Sequence, residues 1–317
     1  MLRFFGFTNG KLVEHKLTDG RFDQTIPHTG WVDAQDTSDE ERERLEALLH
    51  TELPESDDVE EIESSARYFT DSSGIHVHSL FLTQSEGRMD TTTVAFILQA
   101  ELLITVRECE LADFRLLRMR ARRGQVEVRT PRHLLLTMFE QKVENLADAI
   151  EDIHHELEIV SHRVLEETGT DLESAIDDLA ALEDSNGKIR LCLMDTQRSI
   201  SFLQRQLRES KGAQEIIPDV IRDIDTLMSH TTFLFDKINF LMSTTQGFIN
   251  IEQNKIIKIF SIASVMFLPP TLVASMYGMN FEFMPELKFA FGYPMAIGLM
   301  ILAGIIPLVY FKRKGWL

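Results

Sequence analysis

Seven residues toward the C-terminal end recur at a helical interval. Asn254, Ile257, Ser261, Ser264, Leu268, Thr271 and Ser275 fall within an arc of about 100° when the chain is wound at about 100° per residue. Phe260 lies just off that arc. The opposite side carries Ile259, Ile262, Ala263, Met266 and Val273. Hydroxyls and an amide donate and accept hydrogen bonds without carrying charge. Such a stripe has two readings. It can knit one membrane helix to another, because Ser and Thr are common at such seams. It can also line a water-filled path for a cation that keeps its hydration shell. The second reading needs several chains around one axis, because two spans cannot enclose a path.

Other residues able to do chemistry are sparser. His76 and His78 are two apart, so on a strand they share a face. No third ligand follows at a usual spacing, and a structural role is expected. His154, His155 and His162 lie on a Glu-rich helical face and are expected to be solvated. Cys109 and Cys192 are too few for a disulfide framework or a zinc knuckle and suit a reducing compartment. The basic run 118–123 is expected to pair with carboxylates of the same chain. No GxxxxGK[ST] loop is present, so nucleotide coupling has no support in the sequence. No Ser-His-Asp or Cys-His arrangement is evident.

The elements that must position the stripe are two apolar runs. Residues 289–311 hold no charge over 23 positions, enough to cross a hydrocarbon core of about 30 Å. Residues 259–276 are 18 more without charge, and Pro269-Pro270 falls inside them. Lys255 and Lys258 precede the first run; Lys312, Arg313 and Lys314 follow the second. The positive-inside rule therefore places both termini in the cytoplasm and the 281–288 loop outside. No basic segment followed by a long apolar one opens the chain, so no cleavable signal peptide is expected.

Charge is distributed unevenly. Of 317 residues, 50 are acidic and 32 basic. Residues 255–317 hold six Lys or Arg and two Glu; residues 1–254 hold 26 basic and 48 acidic side chains. The large acidic part excludes a nucleic-acid binder, which needs a basic footprint, and favours divalent cations as partners. No charge lies inside either span, so bare ions held by buried carboxylates are not expected there. Magnesium is the cation that gives up its water most reluctantly.

Residues 1–130 read as an α/β domain. Strands are expected at 2–7, 75–82, 93–98 and 101–106, and helices at 39–49, capped by Thr37 or Ser38, and 111–123. The 71–74 stretch Asp-Ser-Ser-Gly reads as a hairpin turn. Residues 131–254 are helical. Leu135, Met138, Phe139, Val143, Leu146, Ile150, Ile153, Leu157, Val160 and Val164 keep helical spacing, followed by a break at 168–170. A second helix is expected from 172 to 210, and a third from 213 into the first span, roughly 90 Å long. The organisation predicted is an α/β domain (1–130), a helical stalk region (131–254), the first span with its outer mouth (255–280), an external loop (281–288), the second span (289–311) and a basic tail (312–317).

At the mouth of the first span stands Tyr277-Gly278-Met279-Asn280, followed by FEFMPEL. This string resembles the signature of the CorA family of magnesium channels. FINIEQN (248–254), FLPPTLVAS (267–275), FGYP (291–294) and YFKRKGWL (310–317) are similar too. So are WVD (31–33), VAFILQAELLITVRE (94–108) and RLCLMDTQRSI (190–200). The likeness extends over the whole chain. It implies an α+β cytoplasmic domain, long stalk helices and two C-terminal transmembrane helices, assembled as a funnel-shaped homopentamer in a bacterial inner membrane. It implies that Gly278 and Asn280, with Met279 between them, form the outer selectivity ring. Asn254 would form an inner polar ring, and Ile257, Phe260 and Leu268 a hydrophobic constriction.

The resemblance further implies Mg2+ influx, possible passage of Co2+ and Ni2+, and closure by Mg2+ bound between neighbouring cytoplasmic domains. Asp219 matches a sensing position, with Glu86 or Asp90 as its partner across the interface. Two charges moving down 100 mV gain about 4.6 kcal/mol, so the potential alone can drive entry. A zinc transporter of the same superfamily is the alternative. A membrane-anchored metal-dependent enzyme is a third reading, in which the spans serve only as an anchor.

Overall fold

A computed structural model describes residues 1–15, 29–49, 67–85, 87–166, 171–208, 210–280, 284–285 and 289–316. Glu86 and the break expected at 168–170 lie outside these. The chain divides into two compact units, Met1–Leu241 and Met242–Leu317.

The first unit is built on a sheet. Its strands are β1 (Leu2–Thr8), β2 (Lys11–His15), β3 (Trp31–Gln35), β4 (Tyr68–Thr70), β5 (Ile75–Ser85), β6 (Arg88–Leu98) and β7 (Leu103–Arg107). Their order is β2-β1-β3-β7-β6-β5-β4. Only β3 and β7 pair in parallel, with Trp31 opposite Leu103; the other pairs among the described strands are antiparallel. β5 and β6 form a long hairpin in register from Ile75↔Leu98 to Ser85↔Arg88.

Alternation along the strands makes two faces. One gathers Phe4, Val32, Ala34, Ala95, Ile97 and Ile104 around Leu45 of α1 (Asp39–Leu49). The Ser38 hydroxyl accepts from the Glu41 N–H at 3.3 Å, capping that helix as its sequence requires. The other face presents Phe81 and Phe96 to Phe114 of α2 (Ala112–Arg122) and Phe139 of α3 (Pro131–Glu166). All ten periodic residues of α3 are buried. α4 (Leu172–Gln206) packs on α3 and on β5. Asp171 caps it, accepting from Glu173 N and Ser174 N at 3.1 and 3.2 Å. It ends at Gln206, four residues before the expected end.

The 71–74 turn joins β4 to β5. Asp71 Oδ1 accepts from Ser73 N and Gly74 N at 2.8 and 3.1 Å. Gly74 has φ +148°, and a Cβ there would lie 2.4 Å from the Leu98 carbonyl oxygen, so only glycine fits. The run at 118–123 is paired as expected. Arg118 meets Asp33 and Glu110, Arg120 meets Glu144, and Arg122 meets Glu14.

α5 (Lys211–Tyr277) is one helix that begins in the first unit and ends in the second. It continues through Pro269-Pro270 without a break in helical structure. α6 (Gly292–Arg313) completes the second unit. Both helices are long and apolar enough to cross a membrane.

Candidate functional site

α5 ends at Tyr277, just before Gly278. Gly278 N still donates to Ala274 O at 2.9 Å, and Met279 N reaches Met276 O at 3.4 Å; the chain then leaves the helix. Gly278, Met279 and Asn280 are all exposed. The last carbonyls of a helix lack amide partners and carry the negative end of its dipole. The Asn280 amide therefore stands beside a natural site for positive charge. A ring of such oxygens can accept hydrogen bonds from the waters of a hydrated divalent ion without replacing them.

The side of α5 facing its neighbour is fixed within the second unit. A Cβ at Gly304 of α6 would lie 3.6 Å from Pro270 Cγ and 3.8 Å from Met266 O. Ile262, Ala263, Met266, Pro270 and Val273 on that side are partly covered. Asn254, Ile257, Phe260, Ser261, Ser264, Leu268, Thr271 and Ser275 are all exposed in the single chain. The polar stripe thus points away from α6, about half a turn of the wheel from the Met266–Pro270 contact. Pairing the two helices of one chain does not use it. Thr271 Oγ1 donates to Phe267 O at 2.7 Å, which leaves its oxygen lone pairs to face outward. Tyr310, Trp316 and the Lys312–Lys314 run cluster at one end of α6, as interfacial anchors do.

Asp219 and Asp90, expected to take part in metal sensing, belong to the first unit. Asp219 is on the exposed face of α5 and pairs with Arg222 at 2.6 Å. Asp90, on β6, accepts from Thr91 N at 2.8 Å and lies 4.0 Å from Lys188 Nζ. Among the described residues, no group of three or more His, Cys, Asp or Glu side chains could hold a metal within one chain.

Two buried polar clusters were not singled out by spacing. Lys142 Nζ, wholly inside, donates to Ser79 Oγ at 2.8 Å and lies 4.4 Å from the centre of the Phe81 ring. Asp195 on α4 accepts from Ser79 Oγ at 2.6 Å, Leu80 N at 2.8 Å and Tyr68 OH at 2.9 Å, with Arg67 at 3.4 Å. Burial holds the Lys142 ammonium below its ordinary pKa, against the pull of Asp195. The signal was present: Lys142 falls three residues after Phe139 and four before Leu146, on the inward face of α3. The second cluster centres on Asp33, fully buried, which Arg107 grips with two nitrogens at 3.0 and 2.9 Å. These are joints of the fold, closed to substrate.

The histidines divide in the same way. His76 Nε2 contacts Ser73 Oγ at 2.8 Å and Asp71 Oδ1 at 3.1 Å, while Phe69 stacks on its ring. His78 is buried, and burial first, then His76 and Arg67, push its pKa down to about 4. His76 thus closes the 71–74 turn, and His78 packs inside the first unit. His154 is not simply a solvated side chain: its Nδ1 lies 3.3 Å from His230 Nε2 on α5. A contact between residues 76 apart leaves no trace in local spacing.

Residues 28–313 match the family described as CorA-like Mg2+ transporter protein. The magnesium transport protein CorA of Escherichia coli (strain K12) is 48% identical over 319 residues, covering all of both chains. Among solved structures, the CorA magnesium transporter from Methanocaldococcus jannaschii aligns with TM-score 0.76 at 18% identity, over 100% of this chain and 99% of that one. The full-length CmaX protein aligns with TM-score 0.72 at 15% identity, over 99% and 97%. At these identities the two structures speak for the fold alone.

Proposed function

This chain belongs to the family of CorA-like Mg2+ transporter proteins, and from that membership we propose that it conducts hydrated Mg2+ into the cell. The family is one of transporters, so the reading as an anchored enzyme is set aside. The observation that carries the proposal is the direction of the polar stripe. The hydroxyls of α5 face away from α6, and the Asn280 amide and the helix C-terminus share its outer end. Sister chains arranged about an axis would turn that stripe toward a common path. A homopentamer in the inner membrane with both termini in the cytoplasm is the assembly this reading takes.

In the proposed mechanism the ion arrives fully hydrated. Gly278 carbonyls and Asn280 amides accept hydrogen bonds from its waters, with Met279 between them. Magnesium is selected because its shell persists where other cations would shed theirs. Ser275, Thr271, Ser264 and Ser261 extend that accommodation down the path to Asn254. Ile257, Phe260 and Leu268 close it, since a narrow apolar ring excludes water when it tightens. The membrane potential supplies the drive, without nucleotide. Asp219 of one subunit and Asp90 or Glu86 of its neighbour would hold a regulatory Mg2+ when the cytoplasmic level is high, and that cross-link would keep the path shut. Co2+ and Ni2+ would pass by the same route only in so far as they too keep their six waters. Full-length relatives named for magnesium transport favour magnesium over zinc as the principal cargo.

The proposal is tested by Asn280→Ala. Magnesium uptake is expected to disappear while the oligomer still assembles, measured by flux in cells and by size in detergent. Normal uptake in that variant would refute the role of the outer ring.

A further inference from the structure

His154 and His230 lie on different helices, α3 and α5, within the first unit. His154 Nδ1 and His230 Nε2 are 3.3 Å apart. A tetrahedral ion with bonds of about 2.05 Å sets two ligand nitrogens about 3.3 Å from each other. The spacing already present between the helices is therefore the spacing of a chelate.

The surroundings of the pair complete the argument. His154 Nε2 lies 3.4 Å from Glu158 Oε1, one turn further along α3. With the proton on Nε2, toward that carboxylate, the Nδ1 lone pair faces His230. This is the outer partner that metal-bound histidines commonly have. Phe233 covers one side, its ring 6.4 Å from His154 and 6.3 Å from His230 between centres. The His154 side chain is 34% exposed, so the remaining coordination positions are open to water. Imidazole is a ligand for zinc, nickel and cobalt; magnesium takes oxygen.

We propose that His154 and His230 form a two-histidine site for a borderline-soft divalent metal of the Zn2+, Co2+ or Ni2+ type, separate from the handling of Mg2+. Water fills the other positions. In the metal-free pair one nitrogen donates its proton to the other. On binding, the proton of His230 moves from Nε2 to Nδ1 through solvent, and both facing lone pairs turn to the ion. No net proton is released. The bridge ties α5, the helix that carries the first apolar span, to α3 of the domain. Occupancy would resist any movement of α5 away from α3. The site does not depend on the transport reading, because its readout is binding.

The test is a Co2+ titration of the purified full chain in detergent, with Mg2+ in excess to occupy oxygen sites. The wild type is expected to develop strong visible ligand-field absorption at one Co2+ per chain, displaced by Zn2+. His154→Gln and His230→Gln should each abolish that absorption, and Glu158→Gln should weaken binding by about tenfold. His155→Gln, on the exposed neighbour, should leave it unchanged. The thermal midpoint of each variant without metal confirms that the fold persists. Absence of the absorption in the wild type, or its survival in folded chains lacking either ligand, would overturn the site. Magnesium uptake, measured separately, bears on neither outcome.

Discussion

Asp113 opens α2 and is 4% exposed, with Oδ1 lacking a hydrogen-bond partner among the described residues. Burial pushes its pKa up to about 6 from an ordinary value of 3.8, more than its own backbone N–H and Lys142 pull it down. The native state then binds more protons than the unfolded chain between these values. Stability from this group is full below pH 3.8 and lost as pH rises through about 6. Asp113→Asn removes that slope, and at pH 7 should stabilise the protein by at most about 3 kcal/mol. Thermal midpoints of the full chain at pH 4 and pH 7 would reveal it as a variant whose loss of stability with rising pH is smaller than that of wild type. Identical slopes would contradict the assignment. His78 has the opposite sign. Its pKa of about 4 lies below the usual 6.5, so its contribution is present at neutral pH and is lost as pH falls through that window.

The joints between sheet and helices depend on Asp195. It ties α4 to β4 through Tyr68 and to β5 through Ser79 and Leu80 N, and Lys142 of α3 joins at Ser79. Removing the carboxylate takes away the principal anion facing the Lys142 ammonium and the anion beside the Arg67 guanidinium. Asp195→Ala should therefore destabilise the first unit by about 3–5 kcal/mol. A thermal midpoint within one degree or so of wild type would contradict this. The sequence made some elements plain and hid others for physical reasons. β1, β5 and β6 carry β-branched or alternating apolar residues, and the ten inward residues of α3 keep a single helical face. β3 was not recognised, because Asp33 sits at its centre and a charge there reads as a loop; only its grip by Arg107 of β7 makes burial affordable. β4 is three residues long and has no period to read. The stripe of α5 was legible, but not which way it faced; the approach of Gly304 to Pro270 supplied that. His230 was invisible because its partner lies on another helix.

In the proposed assembly, neighbouring chains would supply what one chain does not hold. No cluster of three metal-ligating side chains forms among the described residues of a single chain, and Asp219 spends its charge on Arg222. A divalent ion bridging subunits would compete with that exposed pair, which is worth little in water. On the proposed gating, Mg2+ should protect the protein against protease, and Asp219→Ala should shift the protective concentration upward. Protection at the same concentration would remove Asp219 from the sensor. The measurement that bears most directly on the account is Mg2+ entry into liposomes containing the purified chain, under an imposed inside-negative potential and with internal Mg2+ varied. Entry should require the protein, increase with the potential, and fall as internal Mg2+ rises. Entry no faster than into empty vesicles, at any potential and any internal Mg2+, would contradict it.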